Sequence, residues 1–383
     1  MIKYIGKRLV QIIILLFVYV SIVYWMVELM PGSFVAHFIM NPKLTPEAKE
    51  ALKKQFGFDK PAHIRYLLYM KNFMKMDLGI SFLYYPRKVV SVIMERLPRT
   101  LFLFVTATII SYALGFNLGK RIAWRRGKFL DTAATFVGIV FWTIFTPILA
   151  IFNIWIFGVL LKLLPLNGFI DPNIWRKATI SSQEIFKLLI LNGGILLLVF
   201  AVALLIASRL KTLTAKKMTV WMSLLAVLII SFIYWYTSGY GIYALDILRH
   251  LILPIFTLTL LSFAGSMLVM RDTMLEIIRE DYITTAKAKG LPDNIVRDKH
   301  AARNALLPLV TNFVISLGFT VSGGIITETM FSWPGMGRAY IEALNSQDIP
   351  LLVGLLVFTG IFVLIAHLVA DILYAFLDPR IRY

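Results

Sequence analysis

The residue types that ordinarily carry chemistry are scarce in this chain. Cysteine is absent from its 383 residues, which excludes a disulfide framework, a thiolate metal site and a cysteine nucleophile. Five histidines, His37, His63, His250, His300 and His367, lie far apart in sequence, whereas metal ligands come at short spacings; no metal centre is expected. The string nearest to a phosphate-binding loop is GFNLGKR, Gly115–Arg121. It has neither the G-x-x-x-x-G-K spacing nor the following Ser or Thr that would hold magnesium. A nucleophile elbow and a paired His-Glu zinc helix are missing as well. The chain is therefore expected to carry no catalytic residue and no cofactor of its own, and to hydrolyse no ATP.

The stretch with the most chemical character is DYITTAKAKGLPDNIVRDKHAARNALLPLVT, Asp281–Thr311, set between long apolar segments. Its local chemistry predicts helix, turn, helix. Gly290 suits the left-handed position at a helix C-terminus, and Pro292 stops any continuation. Asp293 is expected to cap the second helix. Thr284, Thr285, Ala286 and Ala288 are small enough to let another chain approach closely. Asp281, Leu291 and Arg297 complete the candidate surface. Seven basic and six acidic residues fall between Arg271 and Arg303, so there is no basic stripe of the kind nucleic acid requires. A plain connector between two helices needs only a few residues. More than thirty arranged as two helices predict a docking surface for a partner. A second polar stretch, TETMFSWPGMGRAYIEAL, Thr327–Leu344, contains a tight turn at Pro334, Gly335 and Gly337. Phe331 and Trp333 there suit a membrane interface.

The elements that must position these stretches are helices in a bilayer. The composition is 59% hydrophobic and 14% aromatic, with a mean hydropathy of +0.78, well above that of a soluble domain. A spanning helix needs about 20 apolar residues, and eight segments qualify: Leu9–Met30, Thr100–Gly119, Thr132–Leu161, Ile185–Ala207, Val220–Tyr236, Leu251–Met270, Ala305–Ile326 and Leu351–Phe376. The first is longer than a signal-peptide core and lacks a small-x-small cleavage site, so it is expected to remain as a span.

With the N-terminus inside, the basic residues of Lys3–Arg8, Lys120–Lys128, Arg209–Lys217, Arg271–Arg303 and Arg380–Arg382 all fall in the cytoplasm. They make up more than half of the 39 lysines and arginines behind the net charge of +18. The long outer loop, residues 31–99, holds 12 more, but loops of that length escape the positive-inside rule. Both termini and the polar stretch Asp281–Arg303 are then cytoplasmic. In the outer loop, LTPEAKEALKKQFGF predicts a short amphipathic helix: Thr45 as cap, Pro46 at the first position, Glu47 in the first turn and Gly57 at the end. Ionisable residues inside spans are sparse. Glu28 and Asp371 lie near ends, and His367 reads as a packed residue. An ion-driven carrier more often buries an acid near mid-bilayer, so the pattern leans against one.

The string TTAKAKGLPDNIVRDKHAARNALLP resembles the coupling motif of ABC-importer permeases of the oligopeptide/dipeptide/nickel group. Ala286 and Gly290 match the motif's Ala and Gly, while Thr284 and Thr285 stand where the general motif has Glu and Ala. KYIGKRLVQIIILLF, LMPGS, DLGISF, ERLPRTL, RHLILPIFTLTL, ETMFSWPGMGR and the terminal LDPRIRY resemble the group's first permease subunit, in order and spacing. The likeness covers about residues 1–170 and 246–383.

The resemblance implies an all-α polytopic membrane protein of the ABC type I importer transmembrane fold, with six core helices. Here an inserted hairpin within residues 172–245 gives about eight spans. The division is a first span (1–30), an extracytoplasmic loop (31–99) and a permease domain (100–383) that contains a cytoplasmic coupling loop (271–304). The implied function is a peptide permease subunit in a bacterial cell membrane. The implied partners are a second, homologous permease, two ATP-binding subunits carrying ATP and magnesium, and an external substrate-binding protein. The loop containing Glu328, Phe331, Trp333, Pro334, Gly335 and Gly337 would lie near the outer mouth and meet that binding protein, the alternative being an aromatic membrane anchor. Rival readings are a nickel or metal-chelate permease, an ion-coupled secondary transporter and a lipid-modifying membrane enzyme.

Overall fold

The computed structural model describes residues 2–29, 60–210, 212–320 and 323–377, with Pro46, Glu47 and Glu50. The amphipathic helix expected around Thr45–Gly57 falls mostly outside them. Among the described residues there is no strand beyond an isolated antiparallel bridge, Ile80 to Lys88.

Among the described residues, and besides a single helical turn at Pro172–Trp175, the α-helices in chain order are α1 (Ile2–Glu28), α2 (Ala62–Met74), α3 (Val89–Trp124), α4 (Phe129–Thr143), α5 (Thr146–Asn153), α6 (Ser182–Arg209), α7 (Leu213–Thr237), α8 (Gly241–Ile277), α9 (Asp281–Ala288), α10 (Asp293–Ile295), α11 (Ala302–Phe319), α12 (Ile325–Met330), α13 (Met336–Asn345) and α14 (Ile349–Leu377). Among the described residues seven helices are long and apolar enough to cross a membrane, or eight if a bent pair counts as one span.

That bent pair corrects one expectation. Thr132–Leu161 reads as one long span, yet α4 and the segment Thr146–Leu160 meet at 104°. Ile144 is extended, with ψ of 136°. Pro147, in the first turn of α5, explains the break: it donates no hydrogen bond, and its ring crowds the carbonyl four residues earlier. Beyond Asn153 the helix widens into a π-helical segment, Ile154–Leu160.

The chain divides into two compact units, residues 1–152 with 254–383, and residues 153–253. In the first unit, close helix crossings occur at small residues. Gly115 and Gly119 of α3 face α8: a Cβ on Gly115 would overlap the Ser266 hydroxyl, and one on Gly119 would lie 2.6 Å from the Met267 carbonyl oxygen and 2.7 Å from Met270 Cβ. Without a hydrophobic drive between lipid-bathed helices, such backbone proximity is what holds them. The glycines of the failed phosphate-loop match thus serve as a G-x-x-x-G crossing. Gly318 of α11 meets Ala366 of α14, and Gly138 of α4 meets Met267 and Ala264 of α8. Asp131, at the start of α4, accepts hydrogen bonds from Arg271 Nε and Nη2 at 2.7 and 3.1 Å and from the Gly127 N–H at 3.0 Å. This anchors the α3–α4 turn to α8.

The second unit is built around the α6–α7 hairpin. Ser181 caps α6, accepting from the Glu184 N–H, while Glu184 reaches back to Ser181, so two otherwise free donors are satisfied together. Ser231 Oγ donates to Asn192 Oδ1 at 2.7 Å across the hairpin, and large apolar side chains such as Leu198, Leu205, Trp221 and Phe232 are exposed. Asp246 receives hydrogen bonds from the Asp171 N–H and Trp175 Nε1 at 2.9 and 2.8 Å, which holds the 162–175 loop to the first turns of α8.

Candidate functional site: a helix pair and a polar groove

The polar stretch folds as two short helices around one turn. α9 ends at Ala288, Lys289 closes it, and Gly290 adopts φ of +75°. Only glycine enters this left-handed region without steric cost. Its N–H bonds the Lys287 carbonyl at 2.9 Å. Pro292 is extended and occupies the cap position of α10. Asp293, the expected cap, is instead the first helical residue, because proline's fixed φ already ends the preceding chain. There its charge still favours the first turn through the helix dipole. A π turn, Val296–Ala301, follows and runs into α11.

One face of this pair is welded to the bundle. Ile283, Ala286, Val296, Ala301 and Ala302 are buried with Ala123 of α3 and with Met270 and Met274 of α8. Ala286 therefore packs inward and is no part of the open surface, as its small size alone had implied. The other face is open: Asp281, Thr284, Thr285, Ala288, Gly290 and Asp293 are exposed, and a Cβ on Gly290 would meet nothing within 4 Å. Leu291 and Arg297 are half-buried at the rim. Arg297 Nε and Nη2 donate to the two Asp298 oxygens at 2.9 and 2.8 Å, and Lys120 lies 3.3 Å from the same carboxylate.

A groove of about 570 Å³ opens in the same unit. Its polar lining comes from Thr108, Ser111 and Tyr112 of α3, Ser262, Ser266 and the acidic Asp272 of α8, and Asn312 and Ser316 of α11, with Trp142 of α4 beside them. Tyr112 and Ser316 hydroxyls are 2.8 Å apart. These residues were missed in the sequence. The available signal was Ser, Thr or Asn recurring every three or four residues in three apolar helices, which puts each set on one face.

The Thr327–Leu344 loop is a clamp. Phe331 and Trp333 are wholly buried, and Trp333 Nε1 donates to the Arg99 carbonyl at 3.2 Å. Both readings that placed these rings outward, membrane anchor and partner contact, give way to core packing. Glu328 is fully buried. It accepts from Thr100 Oγ1 at 2.8 Å and from the Arg338 N–H at 3.0 Å, and Thr100 Oγ1 accepts from the Met336 N–H at 2.7 Å. Gly335 and Gly337 leave room for this: a Cβ on Gly335 would sit 2.5 Å from the Glu328 carboxyl. Pro334, half-buried, makes the turn between them and Trp333.

Burial pushes the Glu328 carboxyl up to about 7, against the pull of the Thr100, Arg338 and Gly337 donors. Between its ordinary value of 4.5 and about 7, the unfolded chain sheds this proton and the folded chain keeps it. Stability therefore falls as pH rises through that window, by roughly 3 kcal/mol in full. Thermal unfolding in detergent should show the wild type losing stability from pH 5 to pH 7.5 relative to Glu328→Gln, which has no proton to lose. Parallel curves for the two proteins would count against it.

Residues 111–383 match the family described as binding-protein-dependent transport system inner membrane component, and residues 1–104 match its N-terminal membrane component. The chain is 31% identical to a dipeptide transport system permease protein of Alkalihalophilus pseudofirmus over the whole of both chains. It is 28% identical to an oligopeptide transport system permease protein of Bacillus subtilis, again over the whole of both. It is 30% identical to the dipeptide transport system permease protein of Escherichia coli, covering 100% of this chain and 99% of that one.

Proposed function

The chain belongs to the family of binding-protein-dependent transport system inner membrane components, the transmembrane subunits of ABC importers, and from that premise we propose that it is the first permease subunit of a bacterial ATP-driven peptide importer. It sits in the cytoplasmic membrane with both termini inside. The names of the relatives, dipeptide and oligopeptide permeases, support the substrate class. The polar groove is half of the pathway, and a second, related permease supplies the other half. Hydroxyl and amide side chains suit a peptide, whose every backbone N–H and C=O loses water on entry and needs a partner.

The observation that carries the reading is the helix pair, open on the Gly290 face and fixed to α3 and α8 on the other. Two ATPase subunits, holding ATP and magnesium, dock on the open face. Their closure moves the pair, and with it α3, α8 and α11, which supply the polar lining of the groove. An external binding protein delivers the peptide at the outer mouth.

Reconstitution tests this. Proteoliposomes holding the chain with its second permease and both ATPases, supplied with the binding protein, should take up labelled di- or oligopeptide only when ATP is enclosed on the ATPase side. Uptake by this chain alone, driven by an ion gradient, would overturn the proposal in favour of a secondary carrier. Uptake of a nickel chelate but no peptide would leave the importer standing and remove the substrate.

A further inference from the structure

The end of α3 and the turn into α4 form a pocket beside the helix pair, which shares Arg297 with the rim of that pair and no residue with the groove. It encloses about 460 Å³ between Arg121, Trp124 and Arg125 of α3, Leu130 of α4 and Arg297 of the π turn. We propose that this pocket binds the headgroup of an anionic phospholipid.

Charge comes first. Arg121 and Arg125 lie four residues apart, hence on one face of α3. Both are exposed, and neither has a carboxylate within ion-pair distance among the described residues, where Asp131 pairs with Arg271 and Asp298 with Arg297 and Lys120. Planar guanidinium groups match the oxygens of a phosphate two at a time. Lys287 adds a further cation, its Nζ 5.1 Å from the centre of the Trp124 ring.

The apolar surroundings then choose the kind of anion. Phe129 is 88% exposed and Leu130, which lines the pocket, 44% exposed, both on the first turn of α4. A free anion or an acidic protein surface leaves those side chains uncovered, whereas a phospholipid covers them with its acyl chain while its phosphate meets the arginines. Trp124, half-buried in the pocket lining, is a residue type that favours the boundary of headgroup and hydrocarbon, and basic pockets between spanning helices are known seats for anionic headgroups.

The pocket is also built before any ligand arrives. Asp131 ties the Gly127 N–H and the Arg271 side chain together, so the turn that carries Phe129 and Leu130 loses little freedom on binding. The inference needs only that this end of α3 lies at a membrane surface, and it stands apart from the substrate proposed above.

Native mass spectrometry of the purified full chain tests it, with phosphatidylglycerol, phosphatidylcholine and inorganic phosphate offered separately. The wild type should retain phosphatidylglycerol in preference to phosphatidylcholine. At about 1 kcal/mol for each basic residue near an anionic surface, Arg121→Gln with Arg125→Gln should weaken that retention roughly 30-fold. Arg121→Lys with Arg125→Lys should keep most of it, and Arg126→Gln, outside the pocket, nearly all. A thermal midpoint in phosphatidylcholine close to wild type shows that the double variant folds. Equal retention of the two lipids by the wild type, or undiminished phosphatidylglycerol on the folded double variant, would overturn the proposal. So would retention of inorganic phosphate alone at the same strength, which would make this a free-anion site. Loss of co-purifying ATP-binding subunits without any change in lipid retention would show the pocket to be a protein contact and would equally sink it.

Discussion

Gly290→Trp is expected to cut ATP-dependent uptake tenfold or more while ATP hydrolysis by the assembled complex continues. Two physical effects add. The backbone sits at φ of +75°, where a side chain costs about 1 kcal/mol. More important, the space before Gly290 is open, with no atom within 4 Å of a built Cβ, so the indole projects from the face proposed to receive the ATPase. The chain itself should fold, because the position is exposed and a Cβ there meets no other atom within 4 Å. Gly290→Ala separates the two effects: it carries the backbone cost and little bulk, and should keep most of the uptake. Comparing transport with hydrolysis in proteoliposomes reads the result. Full uptake with Gly290→Trp would mean that the ATPase docks elsewhere.

The second large effect lies inside the bundle. Gly115→Leu is expected to lower the stability of the chain by about 3 kcal/mol or more, or to prevent its accumulation in the membrane. At this crossing a Cβ overlaps the Ser266 hydroxyl and stands 2.8 Å from the Met267 backbone nitrogen. The hydroxyl can rotate away but the backbone cannot, so α3 and α8 must separate and loosen Ile122, Phe263 and Met267, which are buried together. Overpacking alone costs about 1–3 kcal/mol, and the lost helix contact adds to it. The contrast is Gly193→Leu in α6, where nothing lies within 4 Å of a built Cβ; it should change stability by less than about 1 kcal/mol. Thermal aggregation midpoints of the two variants in detergent decide the matter, and similar midpoints would contradict the close crossing.

Local features were legible in the sequence because their causes are local. Gly290 followed by Pro292 dictates where one helix ends and the next begins, whatever lies around them. The apolar lengths of α1, α6, α8 and α14 follow from what a bilayer demands. The break before Pro147 was also local, and its signal was hidden only by the apolar run on both sides. Long-range placement was not legible. Whether Ala286 faces a partner or its own bundle depends on Met270 and Met274, and no helical periodicity over eight residues of α9 states that. Trp333 has the composition of an interface anchor, yet it is buried because the Arg99 carbonyl lies within reach of its ring nitrogen. The groove joins residues on α3, α8 and α11 that are some 50 to 200 positions apart, so each hydroxyl alone reads as an ordinary helix residue.

The hydrogen bond from Thr100 to Glu328 spans 228 positions of chain, and it restricts how this protein can be recombined. A chimera that transplants residues 323–345 from one permease into another must bring a matching hydroxyl at position 100, in the first third of α3. Otherwise the grafted segment arrives with a buried acid lacking one donor and with the Met336 N–H lacking its acceptor, each a loss on the order of 1–3 kcal/mol. Swap boundaries drawn on topology alone would cut through this clamp, so the first third of α3, with Thr100, and the α12–α13 segment should be exchanged together.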